Sequence, residues 1–203
     1  MGLTKMRNYN MAVLTEKQIK YGFDYYHKDD ARPKSVVEVS EYDGEDKLII
    51  NCTQLEESYS AKAKKRIWME WCDFLVNNPD AFTELMFCTR MPQDLFDAVC
   101  AQRRLKKLHI KWGVYPDISK LENLQELEYL HIGSGRSVSS LEPISRLVNL
   151  VALSIENFQQ IDDYAPLANL KHLESLALEG DFAAPKILKV QSLEFLRYMK
   201  QLS

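Results

Sequence analysis

Apolar residues return along this chain at a nearly constant spacing. From Phe82 to Leu178 the pattern apolar-x-x-apolar-x-apolar occurs five times, as Phe82-x-x-Leu85-x-Phe87, Leu105-x-x-Leu108-x-Ile110, Leu127-x-x-Leu130-x-Ile132, Leu150-x-x-Leu153-x-Ile155 and Leu173-x-x-Leu176-x-Leu178. Successive rungs start 23, 22, 23 and 23 residues apart. Such a period predicts a solenoid, because each unit is too small to bury its own apolar side and must stack on its neighbours. The last two apolar positions of each rung alternate with period two and so face one side of a strand. Between rungs lie Ile118, Leu121 and Leu124, then Leu141, Ile144 and Leu147, then Tyr164, Leu167 and Leu170. Their three-residue spacing predicts helical or 3₁₀ return segments on the convex side. Each buried leucine contributes roughly 1.5–3 kcal/mol, so interior rungs, covered on both faces, are expected to be the most stable.

Upstream of the rungs the pattern is mixed. Residues 1–10 read as a tail, and Thr15-x-x-Gln18 followed by Ile19, Gly22, Phe23 and Tyr26 predicts a short helix near 16–27. Two β-rich runs, Val36 to Tyr42 and Lys47 to Thr53, flank Asp43-Gly44-Glu45-Asp46 and predict a hairpin. Thr53-x-x-Glu56 then offers a capping box for a long helix carrying Leu55, Tyr59, Ala63, Ile67, Trp68, Trp71, Phe74 and Leu75, which must end by Asn78 before Pro79. This helix is expected to close the exposed end of the solenoid, since terminal repeats need a cap; its two tryptophans one turn apart are the alternative, a ligand platform. After the fifth rung Leu193, Leu196, Met199 and Leu202 repeat the spacing of Leu167, Leu170, Leu173 and Leu176, which predicts either a makeshift cap or a repeat cut short. The expected division is residues 1–81 for an N-terminal α/β cap and 82–203 for the solenoid.

The rungs resemble the leucine-rich repeat family, and Glu142-Pro143-Ile144 and Ala165-Pro166-Leu167 leading into Asn149-Leu150 and Asn169-Leu170 are similar to its short bacterial internalin-like subclass. The resemblance covers about half the chain and implies an α/β solenoid with parallel strands lining a concave face that binds another protein. The family places asparagine five residues after the second leucine, where this chain has Arg90, Gly113, Gly135, Phe158 and Asp181. Glycine can make the turn there without a side-chain bond.

Composition adds bounds. With 203 residues and 46% apolar content the chain can bury a sizeable core in one or two domains. The net charge of −3 argues for neither nucleic acid nor membrane, although 18 basic and 17 acidic residues up to Trp112 give way to 8 and 12 beyond it. Lys62, Lys64, Lys65 and Arg66 read as a solvated helix face; nucleic-acid binding through them and Arg103–Lys111 would need a steep salt dependence. Neither a secretory signal nor a membrane-length apolar run is present, which makes a cytoplasmic location the expectation. Met1-Gly2 lacks the Ser or Thr at residue 6 that myristoylation needs, and Asn51-Cys52-Thr53 means nothing without secretion. The four cysteines, Cys52, Cys72, Cys88 and Cys100, have no metal or redox spacing and read as buried free thiols. Phosphate-loop, His-Glu-x-x-His and Gly-x-Ser-x-Gly motifs are missing, so no enzyme activity and no cofactor are expected.

The rung register assigns the display residues. One column runs Glu84, Lys107, Tyr129, Ala152, Ser175, a second Met86, His109, His131, Ser154, Ala177, and a third Cys88, Lys111, Gly133, Glu156, Glu179 with Trp112 beside it. Lys107, His109, Lys111, Trp112, Tyr129 and His131 form a basic, aromatic half facing an acidic half at Glu156 and Glu179, a composition that suits a binding hot spot. His109 and His131 should be neighbours, but two ligands fall short of a zinc site, and His27 and His172 have no evident partner. Five strands about 4.8 Å apart span only about 20 Å, less than the roughly 800 Å² per partner of a standard interface, so loops must contribute or the partner is a short segment. The expected function is a non-catalytic intracellular module binding a protein or peptide, an immunity-type neutralising partner being one form. The alternative is a regulatory or enzymatic N-terminal domain that the repeats target.

Overall fold

The computed structural model describes residues 32–181 and 188–202. The expected tail, the helix near 16–27 and His27 lie outside these residues.

The five rungs form strands where the pattern put them: β3 (Glu84–Phe87), β5 (Lys107–Ile110), β7 (Tyr129–Ile132), β8 (Ala152–Glu156) and β9 (Ser175–Glu179). All pair in parallel, with Leu85, Leu108, Leu130, Leu153 and Leu176 in one row. Two further strands, β1 (Lys34–Val36) and β2 (Lys47–Ile50), extend the same sheet, whose order is β1-β2-β3-β5-β7-β8-β9. Strands on one parallel sheet alternate with helical or 3₁₀ returns, which is the solenoid that the repeat period predicts. A second, two-stranded parallel sheet joins β4 (Met91–Pro92) to β6 (Gly113–Val114).

The expected hairpin is corrected. Lys34 pairs with Leu48 and Val36 with Ile50 in parallel, so the chain makes a full coil between β1 and β2 through a 3₁₀ turn at Val39–Glu41. The Lys34 ammonium fixes that coil by donating to the Glu41 carbonyl (2.7 Å) and pairing with Asp43 (2.5 Å) and Glu45 (3.0 Å). Gly44, at φ +96°, supplies the one backbone angle there that a side chain would disfavour.

Helix α1 (Ala61–Asn77) starts seven residues after the capping box would place it, with its N-cap at Ser60 instead of Thr53. Ser60 is the cap, its hydroxyl accepting from Ala63 N (3.2 Å), whereas the Thr53 side chain is turned to the next coil's loop, where its hydroxyl donates to the Arg90 carbonyl (2.6 Å). The other end is as expected, with Asn78 as the C-cap before Pro79. Helix α1 connects β2 to β3, and its Ile67, Trp71 and Leu75 join the same core as Leu85 and Phe87. It is therefore the return segment of an enlarged coil and not a lid over the stack's end. Trp71 is fully buried and donates to the Val37 carbonyl (2.8 Å), while Trp68 stays half-buried.

The remaining returns are short: α2 (Gln93–Val99), a 3₁₀ turn at Ser119–Asn123, the single turn α3 (Glu142–Ser145), and 3₁₀ turns at Ala165–Asn169 and Glu194–Tyr198. Leu121, Ile144 and Leu167 are fully buried, as their spacing predicts. In the last return the spacing misleads, because Leu193 is 59% exposed and Phe195 is buried instead, stacked on Tyr164 at 6.4 Å. Gln102, fully buried, donates to the Leu75 (2.6 Å) and Asn78 (3.0 Å) carbonyls and accepts from Phe82 N, which ties the end of α1 to the first rung. Cys52 and Cys100 are buried, Cys72 and Cys88 half-buried, and all four are free thiols. Burial pushes the Cys52 and Cys72 thiols up to about 12 and about 11, which keeps them protonated and unreactive at neutral pH.

Burial falls at the last rung, where Leu176 and Leu178 are only half-buried against complete burial of Leu108 and Leu130. Leu130→Ala should accordingly cost ~2–5 kcal/mol in urea unfolding, and Leu178→Ala no more than ~1.5 kcal/mol. Equal costs would contradict a stack stabilised from its interior.

Candidate functional site

The three display columns assemble as the register requires. Glu84, Lys107, Tyr129, Ala152 and Ser175 are consecutive partners across five strands, and so are Met86, His109, His131, Ser154 and Ala177. The ladder continues past the strand ends through Lys111 N to Phe87 O (2.9 Å) and Gly133 N to Ile110 O (2.8 Å), and Glu156 faces Glu179.

Exposure divides these residues. Lys111 and Glu179 are exposed, and Lys107, Trp112, His131 and Glu156 are half-buried. His109 and Tyr129 are not available surface, being 5% and 4% exposed. Period two specifies a face but not depth: strands about 4.8 Å apart press flat side chains of one row together. The His109 and His131 rings stack with centroids 4.2 Å apart and planes 16° from parallel. Their nitrogens thus lie in parallel planes and do not converge on a point, as metal ligands must.

The charges are also partly spent within the sheet. Glu84 lies between Lys47 (2.8 Å) and Lys107 (3.6 Å), so three neighbouring strands share one ion-paired row and Lys107 is not a free docking cation. Lys111 is the exposed cation that remains of the expected basic half. Opposite it, Glu156 and Glu179 sit side by side on β8 and β9.

The turns after the strands differ from the expected glycine substitution. A Cβ on Gly135 would collide with the Phe158 ring and one on Gly113 with the Met91 carbonyl, so close approach is what demands glycine at both. The positive φ angles fall instead on Ser134 (57°) and Asn157 (61°), one position earlier in their rungs. Asn157 does part of the work of the missing ladder asparagine. Its backbone N–H donates to the Glu179 carbonyl (2.9 Å) and its side-chain amide to Asp181 (3.1 Å).

Protonation of the stacked pair is suppressed. Burial lowers His131 to about 4, and burial, with help from His131 and Lys111, holds His109 well below the usual histidine range. His131 Nδ1 lies 2.9 Å from the Ser154 hydroxyl, and the neutral ring can accept a hydrogen bond from it there.

No family model matches the chain. No curated protein matches it either. Among solved structures it is similar to an internalin, InlF, from Listeria monocytogenes str. 4b F2365, at 21% identity over 63% of this chain and 41% of that one, with a TM-score of 0.41. It is also similar to internalin C2 from the same strain, at 18% identity over 76% of this chain and 65% of that one, with a TM-score of 0.48. A third similar structure is PEPR1-AtPEP1, at 20% identity over 61% of this chain and 17% of that one, with a TM-score of 0.36. All three are leucine-rich repeat proteins, and this chain spans less than two thirds of each. Among the described residues, no helix is long and apolar enough to cross a membrane.

A histidine held near 4 in the folded chain and near 6.5 in the unfolded one favours the folded state fully above pH 6.5, and that contribution is lost as pH falls toward 4. For His131 the loss between pH 7 and 4.5 should be about 2.5 kcal/mol. Urea unfolding at the two pH values should show His131→Gln losing less stability than the native chain by that amount; identical losses would mean that His131 titrates normally.

Proposed function

We propose that this chain is a non-catalytic binding module that receives a protein or peptide across the ends of its parallel strands. The observation that carries the reading is the in-register row at those ends, where the Lys111 cation, the half-buried Trp112 and the paired carboxylates of Glu156 and Glu179 are held by one hydrogen-bond ladder. Lys111 and Glu156 are two strand spacings apart, about 10 Å, so a partner meets opposite charges at fixed separation. Such a gradient sets orientation and association rate more than affinity, and Trp112 supplies the apolar anchor that affinity needs. His109 and Tyr129 contribute by packing beneath the row, and Lys107 and His131 form its inner margin.

The seven-stranded sheet eases the size limit. Its rows extend about 29 Å, six spacings of 4.8 Å, and β1 and β2 belong to that continuous surface. The narrower form of the reading, an immunity-type neutralising partner, would use the same row, since blocking an enzyme calls for steering and fixed orientation.

The test is quantitative affinity capture from the source lysate with the native chain and a Lys111→Glu, Trp112→Ala, Glu179→Lys variant of matched thermal stability. Proteins held by the native chain should fall at least tenfold with the variant. Retention of the same set by both would overturn the assignment.

A further inference from the structure

A second surface lies at the same strand ends, nearer the N-terminal side of the sheet. Residues following β2, β3 and β5 enclose an open cleft of about 500 Å³ together with the first turns of α1. Its apolar lining is supplied by Leu55, Trp68, Pro92 and Val114, over the buried Cys52 thiol, and its polar margin carries Lys64 and Arg90.

Three features mark the cleft as built. The first is a staple between its two loops: the Thr53 hydroxyl donates to the Arg90 carbonyl (2.6 Å), Thr89 Oγ1 lies 2.9 Å from the same hydroxyl, and Arg90 N donates to Gln54 Oε1 (2.9 Å). The second is Gln54 itself, held at φ +54°, a conformation that costs free energy and persists only where its surroundings impose it. The third is the β4–β6 sheet, in which Pro92 pairs with Val114, so that both apolar wall residues sit on one rigid unit. Val114 remains 47% exposed although it is a large apolar residue at a strand position.

The electrostatics select the ligand class. Lys64 and Trp68, four residues apart, share one face of α1, which places a cation beside the aromatic ring, and Arg90 adds a second cation from the facing loop. Neither forms an ion pair among the described residues, and the described residues lining the cleft include no carboxylate. An apolar trough with two unspent cations at its margin fits an apolar group flanked by negative charge. Its openness decides how that group is delivered. A free small ligand needs 70–90% of its surface enclosed, which an open trough does not provide; a side chain projecting from a peptide needs only its tip covered.

We propose that this cleft binds an acidic peptide segment by taking up one large apolar side chain, with Lys64 and Arg90 engaging the flanking carboxylates. The site is separate from the row at Lys111, Glu156 and Glu179, and either can fail without the other.

The probe is a fluorescein-labelled peptide, Gly-Glu-Glu-Phe-Glu-Glu-Gly, titrated with the full 203-residue chain and followed by anisotropy. It should bind at least tenfold more tightly than peptides in which the phenylalanine is serine or the glutamates are lysines. Lys64→Glu with Arg90→Glu should weaken it at least tenfold, and so should Val114→Glu, a substitution at an exposed wall position that leaves the cations intact. Glu179→Lys, at the far row, should leave it unchanged. The proposal is overturned if the probe shows no preference over either control peptide, or if the cleft variants bind it like the native chain. Octanoate competing as tightly as the peptide would also overturn it, by assigning the cleft to a free amphiphilic carboxylate.

Discussion

Everything in this fold depends on parallel, in-register pairing of successive coils. Each rung places two apolar side chains beneath its strand, and a slip of one residue would turn both out of the core. Leu108 therefore has to lie on Leu85, and Leu130 on Leu108. The spacing is not uniform, being 14 residues between β1 and β2, 37 between β2 and β3, 22 between β5 and β7 and 23 between the other rungs. The strands nevertheless keep their rows, so the return segment absorbs the difference. The register constraint acts on the strands, and the returns vary between a 17-residue helix and a single turn.

The same constraint decides where recognition chemistry can sit. Rows about 4.8 Å apart bring every displayed side chain within reach of its neighbours, and in the middle of the strands those neighbours consume it. The Glu84 carboxylate is shared by two lysines, and the His109 ring is stacked on His131. Burial there favours neutral forms, which is why both histidines resist protonation. At the strand ends the rows diverge into loops and the side chains regain solvent. Lys111 and Glu179 are exposed there, and the cleft between the 52–55 and 89–92 loops opens there. Side chains not already engaged by a neighbour concentrate at the strand ends because lateral packing has used the strand centres.

How much of this was legible in the sequence follows from how local each signal is. The rungs and returns were, because burial imposes the period and the period is written in consecutive residues. Strand direction was not: two β-rich runs a few residues apart suit a hairpin or two parallel coils alike, and the pairing of Lys34 with Leu48 and Val36 with Ile50, with a 3₁₀ turn at Val39–Glu41 inside the expected first run, decides between them. The helix start failed for the same reason, since Thr53 is drawn away by a carbonyl 37 residues further on. Gln102 could not be recognised as a structural residue, because the carbonyls it satisfies belong to Leu75 and Asn78. The short helix α2 had a usable signal in Leu95, Phe96, Ala98 and Val99, all buried. Among the display residues, the rows of Lys107, His109, Tyr129 and His131 could be assigned, but the burial of His109 and Tyr129 depends on what lies beside them.

The position of the cleft follows from unequal return segments. Helix α1 has 17 residues, about 25 Å at 1.5 Å per residue, whereas the return at Ser119–Asn123 has 5, about 10 Å of 3₁₀ turn. Both must begin and end at strands held to one common sheet. A long return therefore needs a long approach, and residues 51–60 between β2 and α1 are that approach. A loop of this length cannot lie flat in the ladder; it arches beyond the strand ends, and the Thr53 and Gln54 bonds pin it to the next coil's loop. The space left beneath it is the cleft, and Lys64 and Trp68 line it because the first turns of α1 are where the arch comes down. The apolar trough with its cationic margin is thus a geometric consequence of inserting one 17-residue helix into a stack whose later returns have seven residues or fewer.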